Sequence, residues 1–219
     1  MERAAGLFLE VAVSDEKPMA FSPTLILPVR TGVKTKTRRV KTTERCPYGE
    51  PGGKLWIREK FVALRVEENV HLGVRRKRVV PCKIEDADLV CFADGDLKFR
   101  EAEYRPGGGP FGTLPLDSYK WRPPMHLPRW GSRIRCEVDS IGLERVQDIT
   151  EDEAVEEGLV AQVVDGRVVT ARQQFRELWD VINGQRKQTG VPGFPYTWDK
   201  NPEVWVVGFH LISGGLAKG

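Results

Sequence analysis

Short apolar-rich runs, separated by turn residues, recur along the chain and predict a fold built largely from β-strands. The runs are residues 54–62, 79–84, 132–141 and 203–212. Residues 132–141 alternate apolar and polar positions, as a half-buried strand does, and residues 203–212 give the strongest strand pattern. The 22 glycines and 15 prolines fit turns between such strands.

Two segments in the C-terminal third predict helices. In the first, Thr150 and Glu153 have the spacing of a capping box, and Gly158 marks the expected end. The second covers about residues 171–183, where one apolar stripe repeats at helical spacing and is expected to be core. The stripe consists of Phe175, Leu178, Trp179 and Ile182. Strands and helices together predict an α+β fold.

Composition indicates a globular protein. The chain has 219 residues, of which 40% are hydrophobic and 30% charged, and its net charge is +3. We therefore expect a single domain over residues 1–219. No apolar run approaches the roughly 20 residues that span a bilayer, and the N-terminus lacks the apolar core of a signal peptide, so we expect a cytoplasmic location and no membrane contact. With so small a net charge, any affinity for nucleic acid must come from local clusters.

One long segment, residues 85–128, has no regular pattern. It contains the Gly/Pro-rich run 105–110 and part of a second proline-rich stretch, residues 121–130. Long irregular excursions within a compact domain are usually functional or flexible. We interpret this segment as an insertion that covers one side of a small barrel.

The spacing of cysteine and histidine predicts no metal site. The three histidines are scattered, and no two cysteines form a Cys-x-x-Cys pair, the close spacing that a structural zinc site normally shows. We expect the cysteines to be reduced and mostly structural, and we expect neither a metal nor an organic cofactor. They are Cys46, Cys82, Cys91 and Cys136.

The densest candidate chemistry lies in the cationic segment from Gly32 to Arg39, which interleaves lysines and arginines with threonines. Lys34 and Thr37 are three positions apart, so they share a face if the segment is a helical turn. A lysine beside a hydroxyl can act as a base–nucleophile pair. The same residues are also suited to binding the backbone of a nucleic acid. The residues alone leave both interpretations open.

Several motifs follow one another in an order that resembles the ASCH-domain family, in the larger form common in phages and prophages. The match covers roughly residues 18–212, nearly the whole chain. It implies a PUA-like fold, which is a small, mostly antiparallel β-barrel flanked by helices. The motifs are residues 34–39, 46–49, 55–59, 121–134, 149–158, 175–183, 198–202 and 204–207.

The resemblance also implies a function. PUA-like domains generally bind RNA or modified nucleosides in a cleft beside the barrel. Some small ASCH proteins remove the acyl group from N4-acylcytidine, and others are ribonucleases. In the amidohydrolases the catalytic residues are the lysine and threonine of a Lys-x-x-Thr motif and a glutamate on a short helix. These residues match Lys34, Thr37 and Glu157. Those enzymes are much shorter than this chain, and residues 85–128 have no counterpart in them.

We therefore expect Lys34, Thr37 and Glu157 to converge in one cleft. The end of a predicted helix is unfavourable for a solvated carboxylate such as Glu157 but useful for a proton shuttle. Cationic neighbours, Arg38 and Arg39 among them, would lower the pKa of Lys34 and help it to act as a base. The two arginines are also expected to bind substrate or nucleic acid.

Two further groups are candidate binding residues. Trp56 and Glu59 belong to a predicted strand, where the competing interpretation of Trp56 is core. An aromatic–basic cluster suits base stacking and phosphate contact, and equally the ordinary packing of a proline-rich loop. The cluster is Trp121, His126, Arg129, Trp130, Ser132 and Arg133. The basic run 75–78 is expected at the tip of a hairpin, where its side chains are either solvated or in contact with phosphate.

The residues and the resemblance favour a hydrolase that removes an acyl group from an N4-acylated cytosine nucleoside or a related modified pyrimidine. The Thr37 hydroxyl, or a water held there, would attack the amide carbon. Lys34 would accept the proton or hold the oxyanion, and Glu157 would protonate the leaving amine. The alternatives are a non-catalytic RNA- or modified-base-binding module and a ribonuclease that uses the same lysine. A closed, nucleoside-sized pocket favours the first function, and an open basic groove favours the others.

Overall fold

The structure of the protein, a computed structural model, describes residues 16–71, 74–93, 97–100, 119–184 and 196–215. Within those residues the fold is α+β, with strands predominating. The strands are β1 (Lys17–Ala20), β2 (Lys36–Val40), β3 (Lys54–Arg58), β4 (Phe61–His71), β5 (Val74–Pro81), β6 (Leu89–Phe92), β7 (Leu97–Phe99), β8 (Arg135–Arg145), β9 (Gln162–Val164), β10 (Arg167–Val169) and β11 (Glu203–Ser213). The helices are α1 (Pro23–Arg30), α2 (Glu151–Glu156) and α3 (Ala171–Asn183).

Five strands form the larger sheet, in the order β1-β3-β8-β11-β2. β1 and β3 are parallel, and the other neighbours are antiparallel. Apolar side chains of this sheet and of α1 together form one core cluster. It includes Met19, Leu55, Ile57, Val138 and Val207 from the sheet, and Leu25, Ile26 and Val29 from α1.

This sheet is open in the part of the chain that the structure describes, which corrects the closed barrel implied by the resemblance. The edge strands β1 and β2 do not pair with each other. The chain between them forms α1, which buries its apolar side chains in the core instead of extending the sheet. A side chain links the two edges, since Arg39 Nη2 in β2 donates to the carbonyl of Ala20 in β1 at 2.6 Å. This contact between the two edges is a side-chain hydrogen bond and not a ladder of backbone hydrogen bonds.

A second, antiparallel sheet has the order β5-β4-β6-β7. Apolar clusters cover both faces of its centre, because Val90 in β6 belongs to one cluster and its neighbour Leu89 to another. β6 and β7 lie inside the segment 85–128, so that segment is not irregular throughout. The apolar run of β6 is too short to identify as a strand from sequence. The Gly/Pro-rich run 105–110 lies outside the described residues.

The predicted strand over residues 54–62 is in fact two strands. β3 ends at Arg58 in the larger sheet, and β4 begins at Phe61 in the second sheet. Glu59 and Lys60 therefore carry the chain from one sheet to the other. The basic run 75–78 lies within β5, and residues 72–73, which precede this strand, fall outside the described part.

The two helices predicted from the sequence are confirmed. In the capping box of α2, Thr150 Oγ1 accepts from the Glu153 backbone N–H, and the Glu153 carboxylate accepts from the Thr150 N–H, both at 3.2 Å. Gly158 follows α2 with a φ of +89°, which favours glycine. α3 has the predicted bounds, Ala171–Asn183. Among the described helices, none has the length and apolar character that a membrane crossing needs.

Helix α1 was not expected, because prolines bound the apolar run that forms it. Pro23 occupies the start of the helix, where its missing N–H has no helical acceptor to lose. Pro28 lies inside the helix and removes a hydrogen bond there. The Pro28 carbonyl accepts from the N–H groups of Val33 and Lys34, both at 2.9 Å, where the helix ends. These bonds lead the chain directly from α1 into the cationic segment.

Candidate functional site

Lys34 is the most deeply buried charged residue that the described ranges contain, with 1% of its surface exposed. Its ammonium donates to the carbonyl of Lys36 at 2.8 Å, to the carbonyl of Glu157 at 2.8 Å and to Glu157 Oε2 at 2.5 Å. Three acceptors around the nitrogen match the three donors of a charged ammonium. A neutral amine would turn its lone pair towards one of these oxygens.

Burial lowers the pKa of Lys34 from its ordinary value of 10.5, whereas the Glu157 carboxylate raises it. Arg39 and Arg38 lower it further, in the direction expected from the sequence. Before it could act as a base, Lys34 would have to lose a proton from one of three satisfied hydrogen bonds. The geometry therefore favours a charged Lys34 that holds Glu157 in place.

Glu157 caps the C-terminal end of α2 and is 5% exposed. One carboxylate oxygen accepts from Lys34, and the other lies 3.4 Å from Arg38 Nη1. A carboxylate at a helix C-terminus meets the negative end of the helix dipole, which is unfavourable unless cations compensate. Lys34 and Arg38 supply that compensation, so Glu157 is stabilised in a buried position.

Arg38 connects β2 to three acidic residues. Its Nε lies 2.5 Å from Glu144 on β8, and its Nη2 lies 2.9 Å from Glu153 on α2. The third contact is the one to Glu157. Lys36 adds a more exposed ion pair with Glu156, at 2.7 Å. This charge network holds α2 against β2 and thereby fixes the position of the Glu157 side chain.

Glu157 lines a cavity of about 390 Å³ between β2, α3 and the segment around Trp121. That volume falls in the range of roughly 300–1,000 Å³ typical of small-molecule sites. Thr37, Arg38 and Arg39 line the same cavity, whereas Lys34 does not reach its wall. The structure therefore brings Thr37 and Glu157 together at one cavity and places Lys34 behind Glu157.

Thr37 does not share a helical face with Lys34. It lies within β2, where its backbone pairs with Val207 of β11, and Lys34 precedes the strand. The sequence-based picture of a helical turn is therefore wrong, because extended backbone turns successive side chains to opposite faces.

Of the predicted binding residues, Arg38, Arg39 and Trp121 line the cavity. The Arg39 guanidinium lies 5.0 Å from the centre of the Phe21 ring, and Lys60 Nζ lies 5.5 Å from the centre of the Trp121 ring. Phe21 and Lys60 also line the cavity. Both contacts are within cation–π distance. The walls therefore combine aromatic rings with positive charge.

Four predicted binding residues lie away from this cavity. Trp56 is buried in β3, with the Arg58 guanidinium 4.5 Å from its ring centre, as the core interpretation requires. Ser132 Oγ donates to the carbonyl of Ile57 at 2.7 Å and is buried. Glu59 and Arg133 form an ion pair at 2.6 Å beside a second cavity of about 300 Å³.

The remaining three belong to the loop before β8 and do not line the cavity. His126 is exposed in a single turn of 3₁₀ helix. Arg129 pairs with Glu16 at 2.9 Å. Trp130 packs against an apolar cluster of the second sheet, and Arg100 lies over its ring. Packing of a proline-rich loop therefore accounts for this group better than a shared binding surface.

Several cavity residues had no signal in the sequence. Phe21 and Lys60 line the wall without belonging to any motif. Leu178 and Ile182 also line it, although the stripe on α3 was interpreted wholly as core. Their partial exposure separates them from Phe175 and Trp179, which are buried, but helical spacing alone cannot show this difference.

The cavity thus brings a carboxylate, a hydroxyl and guanidinium groups together at one wall. Among the described residues, no group of three or more His, Cys, Asp or Glu side chains is arranged to hold a metal ion. Comparison with protein-family models, with curated proteins and with solved structures finds no match to this chain.

Proposed function

We propose that this protein is an ASCH-type hydrolase with a PUA-like fold, and that it removes the acyl group from an N4-acylated cytosine nucleoside or a related modified pyrimidine. The observation that carries the proposal is the buried Glu157 carboxylate, which lines a cavity of about 390 Å³ and is clamped from behind by Lys34. The motif resemblance supplies the substrate class. The cavity supports it, because its size suits a nucleoside.

In the proposed reaction, Glu157 acts as both base and acid. It takes a proton from a water held beside Thr37 while the water oxygen bonds to the amide carbon. It then returns the proton to the exocyclic nitrogen as the carbon–nitrogen bond breaks. One water is consumed, and the products are a carboxylic acid and the free cytosine nucleoside.

Lys34 is a positioning residue in this scheme, not the base. All three of its hydrogens are bonded to oxygens of Lys36 and Glu157. Its ammonium fixes the orientation of the Glu157 carboxylate, and a general base needs a fixed orientation. Arg39 on the cavity wall stabilises the developing oxyanion. Arg38 lines the same wall, but its side chain is buried and already paired with three carboxylates.

The two RNA-directed alternatives have less support. They require an open basic groove past residues 75–78 and Arg129, and Arg129 is paired with Glu16 at 2.9 Å. Such pairing reduces the charge available to phosphates. Binding of a short RNA, measured across salt concentrations, tests these alternatives directly.

The decisive experiment is incubation with N4-acetylcytidine while the ultraviolet spectrum is followed. The proposal expects conversion to the spectrum of cytidine, with acetate released in equal amount. A folded protein that leaves N4-acetylcytidine and its longer-acyl analogues unchanged, yet binds RNA with a steep salt dependence, would contradict it.

A further inference from the structure

Helix α3 presents two kinds of apolar side chain along one stripe. Phe175 and Trp179 are buried in the core cluster that α3 forms with α2 and β11. All four residues of the stripe line the cavity, and Leu178 also packs against the core of the larger sheet. The stripe of an amphipathic helix normally faces the core along its whole length. Here Leu178 and Ile182 are only partly buried, so they leave apolar surface open on the cavity wall.

Other apolar groups extend this wall. Trp121, Pro123 and Pro124 line the cavity from the segment that follows the second sheet, and Leu159 lines it from the chain after α2. Asn183 of α3 is a polar residue on this wall, but its side-chain amide is occupied, because it donates to the carbonyl of Trp179 at 3.2 Å. The wall is therefore apolar over an area larger than one methyl group can cover.

Most of the polar groups of the cavity lie on other elements. Thr37, Arg38 and Arg39 come from β2, and Glu157 comes from the end of α2. Lys60 is the cation on the apolar side, where its ammonium lies over the Trp121 ring. A ligand that fits both regions has a polar part and an apolar part. An acetyl group offers too little apolar surface to match the second region.

We infer that the preferred ligand carries a medium-chain or aromatic acyl group, which lies against Leu178, Ile182 and Trp121 while the cytosine faces Thr37 and Glu157. This inference rests on the proposed function, since it names the acyl group of that substrate. Each methylene buried against the wall should strengthen binding roughly fourfold until the cavity is filled.

Binding can be measured without turnover by using N4-alkylcytidines. Their side chain is joined to the base by an amine carbon–nitrogen bond, so hydrolysis of an amide cannot occur. We expect calorimetry to show affinity rising from N4-ethyl- to N4-butyl- to N4-hexylcytidine, by roughly fourfold per methylene at most. Equal affinities, a fall with chain length, or no binding by any of the three would overturn the inference.

A pair of neighbouring substitutions on α3 locates the effect. Ile182→Ala shortens a side chain on the cavity wall, and we expect it to flatten the dependence on chain length. Val181→Ala removes the same kind of surface from a residue that is 78% exposed and does not line the cavity, so it should leave the dependence intact. Circular dichroism and thermal melting check folding, and Leu178→Ala replaces Ile182→Ala if the latter does not fold. Equal effects of the wall substitution and of Val181→Ala would place the alkyl chain elsewhere.

Turnover separates this inference from the proposed function. If both hold, kcat/KM is higher for N4-hexanoylcytidine than for N4-acetylcytidine. Chain-length-dependent binding with no hydrolysis of either compound keeps the ligand class and rejects the hydrolase. Hydrolysis that is fastest for the acetyl compound, together with flat binding, keeps the hydrolase and rejects the larger acyl group.

Discussion

Lys34 binds both the backbone and the side chain of Glu157. Its ammonium lies 2.8 Å from the Glu157 carbonyl and 2.5 Å from Oε2. Two contacts from one cation fix the residue at its main chain and at its carboxylate, so neither can turn independently. The side chain that faces the cavity is thereby held in one orientation before any ligand binds.

Replacing Lys34 should be costly for stability. Lys34→Met leaves the Glu157 carboxylate buried without its main partner, and breaking a buried pair in this way costs about 3–5 kcal/mol. We expect urea unfolding to show a loss of that size. Lys34→Met combined with Glu157→Gln should lose less, because the unpaired charge is gone.

Lys41→Met is the matched control for Lys34→Met. Lys41 pairs with Glu203 at 3.6 Å, where the glutamate side chain is half exposed. Exposed pairs contribute only about 0–1 kcal/mol, so this change should be nearly neutral. Equal losses in the two lysine variants would argue against a special role for the contact with Glu157.

Glu157→Gln should remove catalysis while keeping the fold. Glutamine has the same shape but cannot accept a proton, and the loss of a general base lowers kcat by about 10²–10⁴-fold. Glu156→Gln is the adjacent control, because Glu156 pairs with Lys36 at the surface and does not line the cavity. Steady-state hydrolysis of an N4-acylcytidine measures both. If the two variants lose activity equally, Glu157 is not the base.

Thr37 distinguishes a bound water from a covalent nucleophile. If Thr37 only holds the water, Thr37→Ala removes about one hydrogen bond and lowers kcat by roughly two- to tenfold, and Thr37→Ser restores it. A loss of about a thousandfold or more in Thr37→Ala would instead identify the hydroxyl as the attacking group. Mass spectrometry of the stopped reaction would then show an acyl-enzyme.

Gly158 should be far less replaceable than a second glycine of similar conformation. Gly158 has φ +89° and Gly166 has φ +75°, so alanine at either position costs roughly 1–2 kcal/mol of backbone strain. A Cβ at Gly158 would also lie 2.8 Å from Pro28 Cβ and 3.1 Å from Lys34 Cβ, whereas one at Gly166 meets nothing within 4 Å. We expect the free energy of unfolding to fall clearly more for Gly158→Ala. Equal losses in the two variants would mean that the contact with α1 relaxes without cost.

Acid should weaken the charge network at Glu153. Burial raises the pKa of Glu153, but the Thr150 backbone N–H and the Arg38 guanidinium are among the groups that outweigh it, so the pKa lies below its usual 4.5. A carboxyl whose pKa is lower in the folded than in the unfolded protein stabilises the fold at pH values above its unfolded-state pKa. This stabilisation is lost as the pH falls through the pKa of the carboxyl in the folded protein.

Glu153→Gln tests that loss, because glutamine keeps the capping box but does not titrate. Between about pH 6 and pH 3, the free energy of unfolding should fall less steeply in this variant than in the original protein. Glu177→Gln changes an exposed carboxylate on α3 and should leave the slope unaltered. An unchanged slope in Glu153→Gln would remove this residue from the acid response.

The parts of the structure that could be predicted depend on local patterns. α3 follows from its own apolar stripe, and α2 follows from Thr150 and Glu153, three positions apart. α1 could not be predicted, since it contains Pro28 and its end is stabilised by bonds to the Pro28 carbonyl from Val33 and Lys34, beyond the helix. A helix stabilised from outside its own sequence leaves no helical signature within it.

The candidate site shows the same limit over longer distances. Lys34 and Glu157 are 123 positions apart, and no spacing rule joins them; only the family resemblance placed them together. The two side chains form an ion pair, which agrees with the expectation that they lie close together. The resemblance did not indicate that Lys34 lies behind Glu157, because orientation depends on the carbonyls of Lys36 and Glu157 that surround the ammonium.

The position of β2 at the edge of its sheet affects how the protein is made. Of the strands that the structure describes, β11 is the one that pairs with β2, and β11 is the last of them in the chain. On the ribosome, residues 36–40 are therefore synthesised long before residues 204–208, with which they pair. The cavity wall that carries Thr37 is thus completed only once β11 has been made, and a nascent chain truncated before β11 should have no formed site.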